Sequence, residues 1–338
     1  MTDNRSAIDG SLDTHLGRVG LEISRLAIGT VNFGGRVDEP EARALLDHGL
    51  ERGINVVDTA NMYGWRVHKG YTEEVIGRWL AARPGRRDEV VIATKVGNAM
   101  APGRNHGGLS VRHVVSACEA SLRRLGTDWI DLYQMHRVDP NVGWDEVWQA
   151  MEMLISQGKV RYVGSSNFAG WHLAAAQQAA KDRHMLGLAS EQCIYNLVTR
   201  HAELEVIPAA QAYGIAILVW SPTHGGALAG VLGKMRRGEA VKSMQGRAQV
   251  ALEQHRDTIA RFEALCAEWG RDPAAIALAW VASRPGVTAV LIGPRTIEHV
   301  DCAVAALEVP LSDEEHARLD ALFPPIARGG PGPQAWAD

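Results

Sequence analysis

The chain has 338 residues, of which 46% are hydrophobic and 22% are charged, and its net charge is −4 at pH 7. These values are ordinary for a globular protein, with room for one large domain or two medium ones. Acidic and basic residues are interspersed, so the chain lacks the basic surface with which a protein binds a nucleic acid. No apolar stretch reaches the roughly 20 residues of a membrane span.

The N-terminal residues 1–5 are polar and lack the apolar core of a signal peptide. We therefore expect a cytoplasmic protein without a membrane partner. Residues 16–23 resemble a small β-hairpin that turns at Gly20. Its expected role is packing at the bottom of the sheet that follows.

From residue 26 onward, short apolar runs alternate with longer segments of helical periodicity. Nearly continuous apolar strands between helices are typical of a parallel sheet that is covered on its outer face. Eight runs are strand candidates, at residues 26–28, 54–57, 90–93, 130–133, 160–163, 188–190, 215–219 and 287–291.

Apolar residues at helical spacing predict helices in the segments between these strands. Six such helices are expected, at residues 41–52, 72–82, 111–125, 144–156, 171–180 and 202–212. Thr72 and Ser110 are predicted to begin two of them. A glycine follows four of the predicted helix ends, where a left-handed residue stops a helix: Gly53, Gly126, Gly158 and Gly214.

A longer gap before the eighth strand holds a glycine-rich loop at residues 225–233 and an extra helix near 247–269. Eight units without a break in composition predict one α/β domain over residues 1–338, a (β/α)8 TIM barrel with an N-terminal β-hairpin and extra helices. Terminal tails are expected at about 1–13 and 324–338. The alternative is an open doubly wound sheet, but its Gly-x-Gly-x-x-Gly signature is missing. The nearest match, Gly330-Pro331-Gly332, lies in a proline-rich tail that we expect to be disordered.

The cysteines are widely separated and form no Cys-x-x-Cys pair, which indicates reduced thiols. They are Cys118, Cys193, Cys266 and Cys302. The chain has 13 histidines but no His-Glu-x-x-His or clustered Cys/His pattern. We therefore predict no metal site.

Functional side chains of such a barrel gather where its strands end. Strand two ends at Asp58, strand three at Lys95 and strand four at His136, and Tyr63 follows Asp58 by five residues. Singly, Asp58 could be a loop anchor, Lys95 a solvated strand end and His136 a core histidine. Together, a carboxylate, an ammonium, an imidazole and a phenol at one face predict a catalytic site.

The predicted chemistry is proton donation to an oxyanion. A phenol of pKa about 10 is a weak acid at neutral pH, and a nearby ammonium lowers that pKa. Lys95 would act on Tyr63 in this way, and Asp58 would hold Lys95 and keep it charged. His136 would orient the substrate oxygen, so that it and Tyr63 stabilise the charge that develops there.

Several motifs resemble the aldo-keto reductase superfamily in order and spacing, over about residues 14–322. They are Asp58-Thr59-Ala60-x-x-Tyr63-Gly64, Thr94-Lys95, His136 with Arg137-x-Asp139-Pro140, Gly164-Ser165-Ser166-Asn167-Phe168, Glu191-Gln192-x-x-Tyr195-Asn196 and Trp220-Ser221-Pro222. The resemblance implies an enzyme that passes hydride from NADPH to a small-molecule carbonyl. It implies a catalytic tetrad and a set of nicotinamide-binding residues, with Trp220 stacked on the ring. The tetrad is Asp58, Tyr63, Lys95 and His136, and the nicotinamide set is Ser166, Asn167, Gln192, Trp220, Ser221 and Pro222.

The resemblance also implies that the cofactor phosphates bind after strand eight. There, Gly293 and Arg295 precede a helix whose N–H groups suit a phosphate, and Arg295 suits the 2′-phosphate that distinguishes NADP from NAD. His299 stands where relatives carry a cofactor-contacting Gln or His. Lys234 either closes over the pyrophosphate or is a solvated loop lysine. The family often has Glu-Asn where Cys302-Ala303 stand here, so we expect the adenine to be held differently or less tightly.

Four residues in loops at the strand ends are assigned to the substrate, and they are Trp65, Arg66, Arg104 and His224. A basic, aromatic mouth suits a sugar or an anion, and a solvated charged loop is the alternative. Segments 64–80 and 163–171 resemble deoxysugar-pathway members, which reduce nucleotide-linked keto- or enoyl-hexoses. Because His136 is present where relatives that reduce steroid C=C bonds have glutamate, C=O reduction is favoured. The alternative is a broad-specificity aldehyde or ketone reductase.

Two of the motifs, Arg137-x-Asp139-Pro140 and Glu191-Gln192-x-x-Tyr195, also resemble the potassium-channel β-subunit branch. Members of that branch bind NADP and act as redox-sensing partners. The sequence shows no membrane-docking surface, so this is the less favoured alternative. The sequence is compatible with either a monomer or an oligomer.

Overall fold

The computed structural model of the protein describes residues 12–239, 246–308 and 310–326. Strands β1 (Asp13–His15) and β2 (Glu22–Ser24) form an antiparallel hairpin. The turn spans residues 16–21 and is closed by Leu16 N donating to Leu21 O, so it is longer than a turn at Gly20 alone. Leu16 and Ile23 pack into the interior of the sheet structure.

Eight parallel strands close into a barrel, each paired with the strand before it, and the last pairs with the first. They are β3 (Leu26–Gly29), β4 (Val56–Asp58), β5 (Val91–Val96), β6 (Ile130–Met135), β7 (Val160–Ser166), β8 (Leu188–Ile194), β9 (Ala216–Trp220) and β10 (Val287–Ile292). This confirms the predicted (β/α)8 barrel over the open doubly wound sheet. Arg18 N donates to Gly214 O, just before β9, so the hairpin covers the N-terminal end of the barrel.

Alternate side chains along each strand face the barrel interior and the surrounding helices. On β5, Val91 and Ala93 belong to the interior cluster, whereas Ile92 and Val96 pack beneath the helices. Several strands extend past the C-terminal end of the apolar run that predicted them. The added residues are polar, and their side chains still face the barrel interior. Lys95, Gln134 and Gln192 are such residues.

Eleven α-helices are found among the described residues. They are α1 (Glu39–Glu51), α2 (Tyr71–Ala81), α3 (Val111–Leu125), α4 (Trp144–Ser156), α5 (Gly170–Asp182), α6 (Val206–Tyr213), α7 (Val231–Arg236), α8 (Arg247–Glu268), α9 (Pro273–Ala282), α10 (Ile297–Glu308) and α11 (Asp313–Leu322). The predicted α3 and α4 have these same bounds, and the extra helix near 247–269 is α8. The four cap glycines all have positive φ, and Gly126 and Gly214 end α3 and α6 in the left-handed conformation.

Ser110 caps α3 as predicted, because its side chain accepts from His113 N. The prediction that Thr72 begins a helix is wrong. Helix α2 begins at Tyr71, after Gly70, and the Thr72 hydroxyl instead lies 2.8 Å from the hydroxyl of Thr59. Burial of Thr72 against the barrel therefore replaces the capping role.

Two further segments differ from their predictions. The segment 202–212 divides into a 3-10 turn at His201–Glu203 and α6, whose first turn contains Pro208, a residue without an N–H to donate. The glycine-rich loop contains α7, whose backbone N–H groups at Leu232 and Gly233 donate to Glu263 of α8. A cap that comes from another helix leaves no local signal in the sequence.

All four cysteines are free, and Cys118, Cys193 and Cys266 are buried. In residues 12–239, 246–308 and 310–326, no group of three or more histidine, cysteine or acidic side chains could hold a metal ion. No helix of these segments is long and apolar enough to cross a membrane. Gly330-Pro331-Gly332 and most of both predicted tails lie outside the described residues.

Candidate active site

A cavity of about 830 Å³ opens at the C-terminal ends of the barrel strands. Parallel strands bring the residues that follow them to one end of the barrel, so side chains distant in sequence share its wall. Asp58, Tyr63 and His136 line it, and Lys95 is fully buried directly behind them. The structure thus brings together the four residues predicted to be catalytic.

Lys95 and Asp58 form a buried ion pair at the base of the cavity. Lys95 Nζ donates to Asp58 Oδ1 at 2.5 Å and to the Thr59 carbonyl at 2.8 Å, and Tyr63 lies close enough to raise the pKa of the ammonium. Burial alone lowers the pKa of Lys95, but Asp58 and Tyr63 outweigh it and raise that pKa, so the lysine stays charged.

The second oxygen of Asp58 is held by two glutamine side chains. Oδ2 accepts from Gln192 Nε2 at 2.7 Å and from Gln134 Nε2 at 3.2 Å. These bonds join β4, β6 and β8 across the barrel interior. Asp58 is thereby fixed in orientation, and the position of Lys95 follows from it.

Tyr63 lies above Lys95, whose Nζ is 5.1 Å from the centre of the phenol ring. Burial raises the pKa of Tyr63 and Asp58 adds to that rise, while Lys95 opposes it. Lys95 acts in the predicted direction, but burial and Asp58 outweigh it, so the pKa of Tyr63 lies above its ordinary value rather than below it. Burial of the phenol is the larger cause, and the Asp58 carboxylate offsets part of the lysine charge. Tyr63 therefore keeps its proton.

His136 completes this end of the cavity, with its ring centre 5.9 Å from that of Tyr63. Burial, Lys95 and Arg137 together lower its pKa to about 3, so the imidazole is neutral at physiological pH. Its Nδ1 lies 2.8 Å from Asn98 Nδ2. Its carbonyl oxygen accepts from Asn167 Nδ2 at 3.0 Å.

All ten residues predicted to bind the cofactor line the same cavity. They are Ser166, Asn167, Gln192, Trp220, Ser221, Pro222, Lys234, Gly293, Arg295 and His299. Asn167 and Ser221 have positive φ values of 61° and 58°, a strained conformation that is concentrated at functional sites. The Ser166 hydroxyl donates to Gln192 O at 2.8 Å, which joins the ends of β7 and β8.

At the outer end of the cavity, three of these residues already have partners. Arg295 N donates to His299 Nδ1 at 3.2 Å, so that backbone donor is occupied by the protein. Lys234 Nζ donates to Ala229 O at 2.8 Å. Burial and the nearby charge of Arg295 lower the pKa of Arg36, and the two guanidinium groups together make this end of the cavity positive.

The comparison with known proteins agrees with this arrangement. A sequence profile of the aldo/keto reductase family matches residues 25–323. The chain belongs to that family. Membership makes it an oxidoreductase of the carbonyl-reducing kind that acts on small molecules.

Relatives of this aldo/keto reductase align along almost its whole length. An uncharacterized oxidoreductase of Bacillus subtilis (strain 168), YrpG, is 45% identical, covering 96% of this chain and 99% of the relative. The versiconal hemiacetal acetate reductase of Aspergillus parasiticus is 33% identical, covering 92% and 97%. A probable voltage-gated potassium channel subunit beta of Oryza sativa subsp. japonica is 32% identical, covering 87% and 90%.

The four residues assigned to the substrate are not part of the cavity wall of this aldo/keto reductase. Trp65 is 47% exposed and meets Tyr63 edge-on at 6.3 Å, so it stands at the rim. Arg66 is exposed and packs on Gly35. Arg104 lies on an exposed loop. His224 is 7% exposed and lies 3.2 Å from Asn196 Oδ1, which gives it a structural partner, so its assignment to the substrate is not supported.

Sequence reasoning missed several residues that line the aldo/keto reductase cavity or contact its catalytic side chains. Gln134 had a usable signal, because alternation along β6 places it on the same face as Leu132. Arg247 lies 4.5 Å over the Trp220 ring, and Arg36 and Asn98 sit in loops. None of these three occupies a position that strand or helix periodicity could have identified.

Proposed function

We propose that this aldo/keto reductase uses NADPH to reduce the carbonyl of a small molecule, with Tyr63 as the proton donor. The observation that carries the proposal is the placement of the Lys95 ammonium between Asp58 and Tyr63, beside a cavity that His136 also borders. When bound, NADPH would supply the hydride that goes to the carbonyl carbon. The alkoxide that forms needs a proton, which Tyr63 holds.

The four catalytic side chains have separate tasks in this proposal. Tyr63 is protonated because burial raises its pKa, so a proton is available at neutral pH. Lys95 stabilises the phenolate as it develops in the transition state. Asp58 keeps Lys95 charged and in place. Neutral His136 donates a hydrogen bond to the substrate oxygen and orients it.

The residues at the end of β7, β8 and β9 fit a nicotinamide ring. The amide nitrogens of Asn167 and Gln192 donate to protein acceptors, so their amide oxygens are the ends suited to accept from a carboxamide N–H. Trp220 presents an indole to the same cavity, and an indole face can stack on the ring. The two amide oxygens and the indole therefore match the carboxamide and the ring of a nicotinamide.

The positive charge at the outer end favours NADP over NAD. Arg295 and Arg36 both line the cavity, and a guanidinium binds phosphate oxygens in a bidentate way. NAD has no 2′-phosphate to occupy such a position. Lys234 and Gly293 lie at the same end and would contact the cofactor phosphates there.

For the substrate, we propose a carbonyl compound with a polar or anionic tail. Exposed Trp65 stands at the rim next to Tyr63, and exposed Arg66 lies near Arg36 of the cavity wall. Both are placed to contact the part of a substrate that does not react. A nucleotide-linked keto-hexose has this chemistry, and it is the class that the deoxysugar-pathway resemblance implies.

The test is an NADPH-oxidation screen with aldehydes, dicarbonyls and nucleotide-linked keto sugars, with NADH in parallel. The proposal predicts turnover with NADPH for at least one class and weaker turnover with NADH. Preference for the sugar nucleotides would support the substrate class, whereas equal rates across small aldehydes would favour a broad-specificity reductase.

A second candidate function is an NADP-binding redox-sensing subunit, favoured by the relative from Oryza sativa that is named as a channel subunit. Such a protein would bind NADPH with negligible turnover in every arm of the screen. That outcome would contradict the proposed reductase.

A further inference from the structure

We propose that Asn98 and Arg137 are positioning residues that hold His136 in the tautomer with its proton on Nε2. The inference rests on the proposed function for its purpose, since Nε2–H is the group that would donate to the substrate oxygen. The structural evidence is a chain of two hydrogen bonds, from Arg137 to Asn98 and from Asn98 to His136. This chain permits only one of the two neutral tautomers of the imidazole.

The chain begins at Arg137, whose Nη2 donates to Asn98 Oδ1 at 2.7 Å. A guanidinium has donors but no acceptor, so the oxygen of the Asn98 amide must face it. The amide nitrogen therefore points the other way, where His136 Nδ1 lies 2.8 Å from it. Because Nδ2 is a donor, Nδ1 must be the acceptor and carry no proton.

The opposite tautomer would lose one of the two bonds in either orientation of the Asn98 amide. A proton on Nδ1 would face the amide N–H of Asn98, donor against donor. Rotating the Asn98 amide would repair that contact but would turn its N–H groups toward Arg137, which cannot accept. A neutral imidazole has one N–H proton, so in His136, which borders the cavity, it resides on Nε2.

The imidazole is also held in place and kept neutral. Asn167 Nδ2 donates to the His136 carbonyl oxygen, which anchors the backbone from β7. The charged groups that act on the ring are Lys95 of β5 and Arg137, both cations, and they and burial lower its pKa to about 3. The neighbouring Tyr63 phenol is neutral because burial raises its pKa. Donation to a substrate therefore depends on the tautomer, because the doubly protonated form is not populated near neutral pH.

Asn98→Asp tests the inference with an almost isosteric change. The introduced carboxylate accepts from both Arg137 and the imidazole, so the His136 proton moves to Nδ1, and the pKa of His136 rises by about one to three units. Asn141→Asp is the control for the added charge, because Asn141 is exposed in the loop after β6 and its side chain contacts Asp139 rather than His136.

The decisive readout is a long-range ¹H–¹⁵N correlation spectrum of the imidazole nitrogens, with the His136 signals assigned by their loss in His136→Gln. We expect wild type and Asn141→Asp to show a protonated Nε2 and an unprotonated Nδ1 near pH 7, and Asn98→Asp to reverse them above its new pKa. An Nδ1–H tautomer in the wild type overturns the inference, as does Asn98→Asp with an unchanged tautomer. If Asn98→Asp does not fold, Arg137→Met serves instead. It frees the amide to rotate and should give a mixture of tautomers, and a spectrum identical to wild type would contradict the inference.

A kinetic readout connects the tautomer with function. In Asn98→Asp, turnover above the new pKa should fall about 100-fold, because Nε2 no longer donates. It should recover in part as the pH falls through that pKa, since the imidazolium donates from both nitrogens, whereas Asn141→Asp should follow the wild-type profile. The spectra need no turnover, so a protein that reduces no carbonyl but shows the expected tautomers would refute the proposed function and support this inference. Turnover with the wrong tautomer would do the reverse.

Discussion

Two ion pairs with buried carboxylates, Lys95–Asp58 and Arg124–Glu73, pack on opposite faces of strand β5. On β5, Lys95 faces the barrel interior and binds Asp58, whereas the preceding residue, Thr94, faces outward and donates to Glu73 at 2.6 Å. Glu73 also accepts from Arg124 Nε at 2.7 Å. Both carboxylates, Asp58 and Glu73, are buried, and each contacts a cationic side chain. Each also accepts a hydrogen bond from one of two adjacent residues of β5.

The difference between the two pairs lies in what surrounds them. Glu73 of α2 is fully buried against the barrel and α3, and its two oxygens accept from Thr94 and Arg124. Lys95 instead reaches Tyr63 at the wall of a cavity. A buried ion pair alone is therefore not a sign of catalysis. An active site needs, in addition, a proton-bearing group between the pair and the space where a substrate can bind.

The largest expected effect comes from neutralising the interior pair. The double change Asp58→Asn with Lys95→Met leaves no unpaired buried charge, so the fold should survive. Turnover should fall at least about 1,000-fold because the phenolate is no longer stabilised. Steady-state kinetics with NADPH, alongside circular dichroism to check folding, would measure this. The matched control is Glu73→Gln with Arg124→Met, for which turnover should stay within a few-fold of wild type. If both double variants lost activity equally, the contrast between the pairs would be wrong.

The next effect is on stability and concerns the outer pair. Glu73→Ala leaves Arg124 without its carboxylate and opens a space under α2, which should lower the free energy of unfolding by about 3–5 kcal/mol. Urea denaturation measures the change. The kcat of the folded fraction should be unaffected, and a large fall in kcat at full folding would assign Glu73 to the reaction.

A smaller effect is expected at the outer end of the cavity. Arg295→Ala removes a charged donor for a phosphate and should weaken NADPH binding about 10- to 100-fold, while NADH binding changes little. Fluorescence titration of both cofactors gives the two affinities. Arg52→Ala, which removes a charge that pairs with Asp301 on α10, is the control. Equal losses for NADPH and NADH in Arg295→Ala would contradict the assignment to the 2′-phosphate.

The barrel and the interior of the site follow from the sequence because strand periodicity is local. Once Ala93 is placed inward, Lys95 must be inward as well, and Thr94 must face the helices. The order of the strands then brings Asp58, Lys95 and His136 to one end. These inferences need only the alternation of side chains and the closure of the sheet.

The loop residues of the site could not be derived in this way. Asn98 has its role through Arg137, and Arg36 through its approach to Arg295, which are contacts between loops distant in sequence. The raised pKa of Tyr63 has a similar origin, since it depends on how completely burial and Asp58 offset Lys95. Helix α7 was missed because the carboxylate that caps it comes from Glu263 of α8.

The central claim is that the phenol of Tyr63 supplies the proton once hydride has reached the carbonyl. Tyr63→Phe removes one oxygen atom and keeps the ring, so NADPH affinity measured by fluorescence should remain within a few-fold of wild type. Turnover of the best substrate from the screen should then fall by more than about 1,000-fold. Retention of NADPH binding with turnover close to wild type would contradict the claim.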